Sequence, residues 1–390
     1  MSPTVAAAGG IRATLATDEH ADAIAAFYRA SWSQDATAAS VLATRRLAAA
    51  ANVAEPGEPP PTALVLDGSR VIGYCGSIPM RLWDGVVEHP AYWTKGLMVL
   101  PEFRQGPIGF HVCKELAAHL PRALGLLVAP AARRLFTAVG YSDLGAIGNF
   151  VRLLRPAAVA RQLDVGELGL GLPRWLTAAV QVAQRTGLAG LAGAGAGVAM
   201  NVAARAFGRA RGIATIRATT APSEAELDAV WEDARGELRA SPVRDGRYLR
   251  SRFAAPGAGH DGRYVFCSAH DGARLAGVAV VRQPRAGSDP RLRNVRVATL
   301  SDIVFPPTRA EVGFALLDCA EQAARAAGAD AILCSTNHPA LTRLLRRQAY
   351  IPLPGNVHVL LHDRNAATRW PQDLGAWWLA RGDGEADEVF

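Results

Sequence analysis

The sequence lacks the cysteine patterns of disulfide-rich and metal-binding proteins. Its five cysteines are widely separated and odd in number, and none belongs to a CxxC pair or a Cys/His cluster with metal-ligand spacing. GxSxG, GxxxxGKS/T and HExxH motifs are also missing. These absences argue against serine hydrolases, phosphate-loop nucleotidases and zinc proteases. They predict no metal site and reduced, mostly buried thiols.

Lysine is almost absent, so the positive charge comes mainly from arginine. The formal net charge is +7 at pH 7. The planar guanidinium of arginine suits phosphate and carboxylate groups, which makes an anionic ligand a reasonable alternative to a merely solvated surface. Because no dense basic run occurs, we expect no nucleic-acid partner.

Signals for targeting and membrane insertion are also scarce. The N-terminal segment contains no basic region followed by an apolar run and a cleavage site, so we expect a cytoplasmic protein. The uncharged stretch 186–204 approaches the roughly 20 residues that span a bilayer, and its Gly193 and Gly197 have GxxxG spacing. Its many glycines and few large apolar side chains favour packing against the folded domains, with membrane contact as the alternative.

The length of the chain and a repeated order of elements indicate two domains. The 390 residues exceed the roughly 250 residues at which a single core stops growing. Similar strand and helix patterns occur on both sides of a Gly/Ala-rich stretch. We therefore predict an N-terminal domain over 1–155, a helical linker over 156–211 and a C-terminal domain over 212–390.

The first domain contains a short strand-to-helix connection. The proline-rich segment 54–61 predicts a loop, and Asp67-Gly68 between two apolar runs predicts a β-hairpin. A strand from about 92 to 99 is followed by a glycine-bearing loop and a helix over about 108–119. A helix that begins directly after a strand points unpaired N–H groups at the crevice, which suits a pyrophosphate.

The segment GLMVLPEFRQGPIGFHVCKELAAHL, which begins at Gly96, resembles the signature of Gcn5-related N-acetyltransferases (GNATs). An apolar strand ends in Val-x-Pro-x-x-Arg, and a glycine loop opens a helix. The resemblance implies that amides of this loop hold the pyrophosphate of coenzyme A and that an N–H near the end of the strand meets the oxyanion. Pro107, at the usual middle glycine, offers no N–H. The implied cofactor-binding residues are Met98, Val99, Arg104, Gln105, Gly106, Ile108, Gly109 and Phe110.

Two further segments are similar to the second motif of the family, a strand and a helix that ends in Gly-Phe. The first, GLLVAPAARRLFTAVGYSDLG, ends in Gly140-Tyr141 but has Pro130 and Phe136 where family members often have asparagine and tyrosine. The second, ILCSTNHPALTRLLRRQAY, contains a family-like Asn337. The loop before it, PPTRAEVGF, lacks the glycine string, which implies a degenerate coenzyme site in the C-terminal domain.

The resemblance is firm over 91–150 and weaker over 263–361. It implies an α+β fold in which two tandem GNAT-like mixed-sheet modules are joined by a helical Gly/Ala-rich linker. It also implies an acyl-CoA-dependent N-acyltransferase, with acetyl-CoA or another acyl-CoA as co-substrate and an amine-bearing small molecule or amino sugar as acceptor. The alternatives are a catalytically degenerate tandem-GNAT binding protein and a Fem-type aminoacyl transferase, which uses charged transfer RNA.

Acyl transfer from a thioester needs a group that removes a proton from the acceptor and one that protonates the departing thiolate. Glu102 lies beside the predicted cofactor loop, Tyr141 is the nearest hydroxyl after it, and Asp302 lies in the equivalent strand of the second module. These three residues are the predicted catalytic groups. Each also has a structural explanation: a solvent-exposed carboxylate, an aromatic that closes a turn and a hydrogen bond to a nearby turn.

Overall fold

The computed structural model shows two compact units, residues 1–146 with 357–372 and residues 147–356 with 373–390. The predicted linker 156–211 and the stretch 186–204 lie mostly outside the described residues. In the part that is described, no helix is long and apolar enough to cross a membrane. The structure describes residues 10–32, 35–162, 182–184, 186, 195, 212–254, 263–284, 295–364 and 368–384.

The described chain combines helices with strands that pair in both parallel and antiparallel directions, which confirms the predicted α+β class with mixed sheets. Several helices begin at hydroxyl caps, as where the Thr37 and Ser223 side chains accept from backbone amides three residues later. The N-terminal half contains β1 Ile11–Leu15, α1 Ala21–Trp32, α2 Ala38–Ala50, β2 Ala63–Asp67, β3 Arg70–Trp83, β4 Glu88–Val99, α3 Ile108–His119, β5 Arg122–Leu126, α4 Pro130–Ala138, β6 Ser142–Leu153 and α5 Pro156–Gln162. The C-terminal half contains β7 Ile213–Ala218, α6 Glu224–Arg235, β8 Ser241–Pro242, α7 Gly246–Phe253, β9 Tyr264–Asp271, β10 Arg274–Arg282, β11 Val297–Val304, α8 Ala310–Ala326, β12 Ala331–Ser335, α9 Pro339–Arg347 and β13 Ile351–Asp363.

Several predicted elements are confirmed, although the strand predicted from about 92 to 99 begins earlier, at Glu88. The segment 54–61 is a loop, and the β2–β3 hairpin turns at Gly68, whose φ of 59° lies in the left-handed region. Helix α3 begins and ends where the sequence predicted. Helix α2 was not predicted, because this alanine-rich helix buries only Val41 fully and so shows little apolar periodicity. None of the five cysteines, all of which are described, forms a disulfide, and all five are buried.

One close contact between helix and sheet occurs in both units. A Cβ at Gly73 on β3 would lie 2.7 Å from Cγ2 of Val112 on α3. A Cβ at Gly277 on β10 would lie 2.7 Å from Cγ1 of Val312 on α8. In each unit the central helix therefore approaches the sheet at a position where a side chain would collide with it. This shared contact agrees with two similar modules.

Each unit contains chain from both halves of the sequence. In the first unit, β13 pairs antiparallel with β5 from Val359 opposite Leu126 to Asp363 opposite Arg122. In the second unit, β6 pairs antiparallel with β12 over residues 149–153. Val359 and Leu360 are fully buried, and Leu360 belongs to the core of the first unit. A strand near the end of the chain thus completes the first sheet, while the three consecutive domains stay a prediction.

A fragment of residues 1–155 should fail to unfold cooperatively, because it lacks this strand. Val357, Val359 and Leu360 are fully buried, and each contributes about 2 kcal/mol. Their sum is comparable with the whole stability of a domain, about 5–15 kcal/mol. Urea unfolding followed by circular dichroism tests this, with the full chain as control. A sharp transition of the isolated fragment at the same urea concentration as the full chain would contradict the expectation.

Candidate functional site

In the first unit, the parallel strands β4 and β5 separate part-way along their length. They pair only where Tyr92 is opposite Ala123 and Trp93 is opposite Leu124. Directly afterwards, Oγ1 of Thr94 donates to the carbonyl oxygen of Leu124 at 3.4 Å. Strand β4 continues to Val99 without β5 beside it. The last turns of β4 therefore border an open crevice.

A β-bulge accompanies this separation. The register between β3 and β4 shifts between Tyr74 and Gly76, which places the irregularity opposite Gly96. Gly96 has a φ of 61°, a value that glycine adopts without steric cost. Because a bulge bends its strand, this one accounts for the divergence of β4 from β5.

The end of β4 presents one backbone edge to the crevice. The N–H of Leu100 donates to the carbonyl oxygen of Ile72 on β3 at 3.0 Å. The backbone groups of Val99 consequently point away from β3. The Nε of Arg104 donates to the Val99 carbonyl oxygen at 3.0 Å, which leaves the Val99 N–H directed at the crevice. Of the two residues predicted near the oxyanion, Val99 has this orientation, whereas the Met98 N–H points towards β3.

Helix α3 opens beside the crevice with several unused amides. Pro107 is its N-cap, with φ −79°, and the first bond within the helix runs from the His111 N–H to the Pro107 carbonyl oxygen. The amides of Ile108, Gly109 and Phe110 precede this bond and have no acceptor within the helix. Pro107 removes one donor from the loop but starts the helix that supplies the others.

The two glycines of the loop differ in their surroundings. A Cβ at Gly109 would lie 2.8 Å from Cδ1 of Leu135, so this glycine lets α3 pack closely against α4. At Gly106 the nearest atom is the carbonyl oxygen of Phe103 at 3.6 Å, which leaves space. The Gly106 N–H already donates to that oxygen. Gly106 therefore leaves space for a ligand, but its N–H is already used. The N–H of the neighbouring, exposed Gln105 stays a predicted hydrogen-bond donor to the ligand.

A small cavity in the same unit contains hydroxyl groups that sequence analysis missed. The Oη of Tyr28 on α1 donates to the Oη of Tyr74 on β3 at 2.9 Å. Both tyrosines line a cavity of about 140 Å³, together with Ser77 and Lys95. A Cβ at the bulge residue Gly96 would lie 3.7 Å from the Tyr74 ring. The hydroxyl pair is thus next to the point where β4 bends. Neither tyrosine belongs to a recognisable motif.

Solved structures share the overall fold of this chain, although no protein-family profile and no curated protein matches the sequence. A GCN5-related N-acetyltransferase from Kribbella flavida is 15% identical with a TM-score of 0.53, over 92% of this chain and 72% of that one. N-myristoyltransferase from Saccharomyces cerevisiae with bound myristoyl-CoA is 10% identical with a TM-score of 0.54, over 93% and 85%. The chain has the GNAT fold. A GCN5-related N-acetyltransferase from Anabaena variabilis agrees at 11% identity and a TM-score of 0.55, over 90% and 72%.

Within the GNAT fold, Glu102 lies on the surface at the start of the loop that the sequence predicted to bind the cofactor. Its Oε1 is 2.6 Å from Nη2 of Arg70, and both side chains are about half exposed. Hydrogen bonds from its own backbone N–H and from Arg70 hold the pKa of Glu102 below its ordinary value. A carboxylate with a lowered pKa is a weak proton acceptor, so this environment does not favour Glu102 as a general base.

Tyr141 lies in the core of the first unit. Its ring centroid is 4.8 Å from that of His362 and 4.9 Å from that of Phe136. Burial raises the pKa of Tyr141 well above its ordinary value. Its hydroxyl has no hydrogen-bond partner among the described residues. These surroundings match the alternative explanation of Tyr141 as the aromatic that closes the turn after α4.

Asp302 lies in the second unit, within a buried charge network. Its Oδ1 is 2.8 Å from Nε of Arg244, whose Nη2 is 2.8 Å from Oδ2 of Asp383. Burial raises the pKa of Asp302, while the Arg244 guanidinium opposes that rise. These contacts give Asp302 a structural role, and the catalytic roles of Glu102, Tyr141 and Asp302 stay predictions. Among the described residues, no group of His, Cys, Asp or Glu could hold a metal ion.

Replacing Arg244 with methionine should lower the free energy of unfolding by about 3–5 kcal/mol, because two buried carboxylates lose their cation. The control is Arg250→Met, since the Arg250 side chain is 41% exposed and its carboxylate partner is 3.9 Å away. That change should cost less than about 1 kcal/mol. Urea denaturation measures the free energy of unfolding of both variants. Equal decreases in the two variants would show that the buried charge network stabilises the unit no more than an exposed ion pair does.

Proposed function

We propose that the first unit transfers an acyl group from an acyl-CoA to an amine. The observation that carries the proposal is the separation of β4 from β5 directly beside the free amides at the start of α3. The crevice would hold the arm that carries the thioester. The amides of Gln105, Ile108, Gly109 and Phe110, together with the positive end of the helix, would hold the pyrophosphate.

The chemistry at the thioester needs few side chains. The acceptor nitrogen attacks the thioester carbonyl carbon, a C–N bond forms, the C–S bond breaks, and the thiolate receives a proton. The Val99 N–H would stabilise the negative charge that develops on the carbonyl oxygen. We propose that the hydroxyl pair Tyr28–Tyr74 conducts the proton, because it lies at the bulge through which the acceptor would reach the crevice.

The acceptor would be an amine-bearing small molecule or an amino sugar, and the donor acetyl-CoA or another acyl-CoA. The cavity of about 140 Å³ is smaller than the roughly 300–1,000 Å³ of typical ligand pockets, so it fits only the amine end of an acceptor. Lys95 in its lining favours the neutral, nucleophilic form of that amine. Five buried cysteines that form no disulfide fit a reducing compartment, and we propose a cytoplasmic location.

A carboxylate at position 106 should weaken acetyl-CoA binding at least tenfold, or about 1.4 kcal/mol. Gly106 is exposed with open space around it, so Gly106→Glu adds a negative charge beside the proposed pyrophosphate site without disturbing the core. Gly106→Ala is the matched control and should bind within twofold of wild type. Calorimetry measures all three affinities.

Two results of this titration would count against the proposal. Equal affinities of the glutamate and alanine variants would show that the pyrophosphate lies elsewhere. If the folded wild type bound neither acetyl-CoA nor longer acyl-CoAs, an acyl-CoA-dependent enzyme would be ruled out. The binding protein or the transfer-RNA-dependent transferase would then be favoured.

Removing the hydroxyl of Tyr74 should lower kcat by about a hundredfold, the usual contribution of a positioned proton-transfer group. The KM for acyl-CoA should change less than twofold, because the ring and the loop remain. Tyr141→Phe is the matched comparison in the same unit: full activity would agree with its buried, unpartnered hydroxyl, whereas lost activity would support its predicted catalytic role. Wild-type kcat in Tyr74→Phe, in an assay of free thiol released with amine acceptors, would exclude this tyrosine from proton transfer.

A further inference from the structure

The second unit contains a larger cavity, at the point where helices α8 and α9 begin. Its volume is about 670 Å³, within the roughly 300–1,000 Å³ that small-molecule sites occupy. Thr308 and Ala310 line it at the start of α8, and His338 and Pro339 line it at the start of α9. Its size and its position at two helix ends make it a candidate binding site.

Three arginines line this cavity, and none of them forms an ion pair with a described residue. Arg239, Arg343 and Arg347 line it, and no hydrogen bond or salt bridge joins their guanidinium groups to another described residue. Arg343 and Arg347 are four residues apart on α9, a spacing at which like charges repel. The one carboxylate in the lining, Glu237, accepts hydrogen bonds from the N–H and Oγ1 of Thr308 at 2.8 and 2.6 Å. The cavity therefore has an excess of positive charge.

Further donors at the start of α9 suit an anion. The first bond within α9 runs from the Thr342 N–H to the His338 carbonyl oxygen, so the amides of Ala340 and Leu341 have no acceptor within the helix. The Nδ1 of His338 is buried and has no partner among the described residues. Burial and the Arg343 charge lower the pKa of His338 to about 4, so at neutral pH the ring is uncharged and can donate one hydrogen bond.

The neighbouring crevice of this unit is closed by the chain itself. Strands β11 and β12 pair in parallel only as far as Thr299 opposite Leu333. Beyond that point, the Gly382 N–H donates to the Ser301 carbonyl oxygen at 2.6 Å, and Nη1 of Arg381 donates to Oγ of Ser335 at 3.1 Å. The segment 381–382 thus occupies the space between the strands. No thioester arm has room there.

We propose that the second-unit cavity binds a small phosphate-bearing molecule through Arg239, Arg343 and Arg347. The phosphate would lie against the first turn of α9, where the free amides supply further hydrogen bonds. Because the crevice between β11 and β12 is filled, the ligand is shorter than an acyl-CoA and the site is not a second donor site. This inference does not depend on the proposed acyl transfer.

Calorimetric titration of the full chain with inorganic pyrophosphate, ADP and coenzyme A tests the proposal. The titrations use Gly106→Glu as background, so that the first unit contributes little. Arg343→Gln and Arg347→Gln should each weaken ADP binding about tenfold. Arg346→Gln is the matched control: Arg346 is exposed on the same helix but does not line the cavity, and its loss should change affinity less than twofold.

Four outcomes would overturn the proposal. The first is no binding of pyrophosphate or ADP. The second is equal weakening by all three arginine variants, which would show non-specific attraction to the helix. The third is binding that the Gly106→Glu background abolishes, which would place the phosphate in the first unit. The fourth is coenzyme A binding at least tenfold tighter than ADP binding, which would show that the thiol-bearing arm of coenzyme A is accommodated in the second unit.

Discussion

Two parallel strands that begin as partners and then separate leave backbone N–H and C=O groups without a ladder, and such groups must find other partners. In the first unit, the side chains of Thr94 and Arg104 satisfy two of these carbonyl groups. The remaining edge borders open space, with the N–H of Val99 facing it. Everything proposed for acyl transfer rests on that remaining edge.

In the second unit, the parallel strands β11 and β12 also separate, but the chain itself fills the space between them. Arg381 and Gly382 lie between β11 and β12, where the Gly382 N–H donates to the Ser301 carbonyl oxygen and the Arg381 guanidinium donates to the Ser335 hydroxyl. The Arg244 network with Asp302 and Asp383 holds this segment in place from within the core. One architecture therefore has two outcomes. A crevice that stays open can accept a long ligand, whereas a crevice closed by its own chain leaves only the cavity at the helix ends.

The sequence predicted local features well and distant contacts hardly at all. Helix α3 and the β2–β3 hairpin follow from proline, glycine and apolar spacing, which act over a few residues. The Tyr28–Tyr74 bond joins residues 46 positions apart, and the Arg244–Asp383 pair joins residues 139 apart. The periodicity of apolar residues in the sequence does not predict such contacts, because they depend on how distant elements pack against each other. The same limit applies to Asp302, which the sequence offered as a candidate catalytic base and which lies buried against Arg244.

The strand that β13 contributes to the first unit also determines when that unit can finish folding. Domains usually fold in order as the ribosome releases them, the N-terminal one first. Here the partner of β5, residues 359–363, is made more than 200 residues after β5 itself. The edge of β5 therefore stays unpaired while the intervening chain is translated, and the first unit cannot finish folding before β13 has been made.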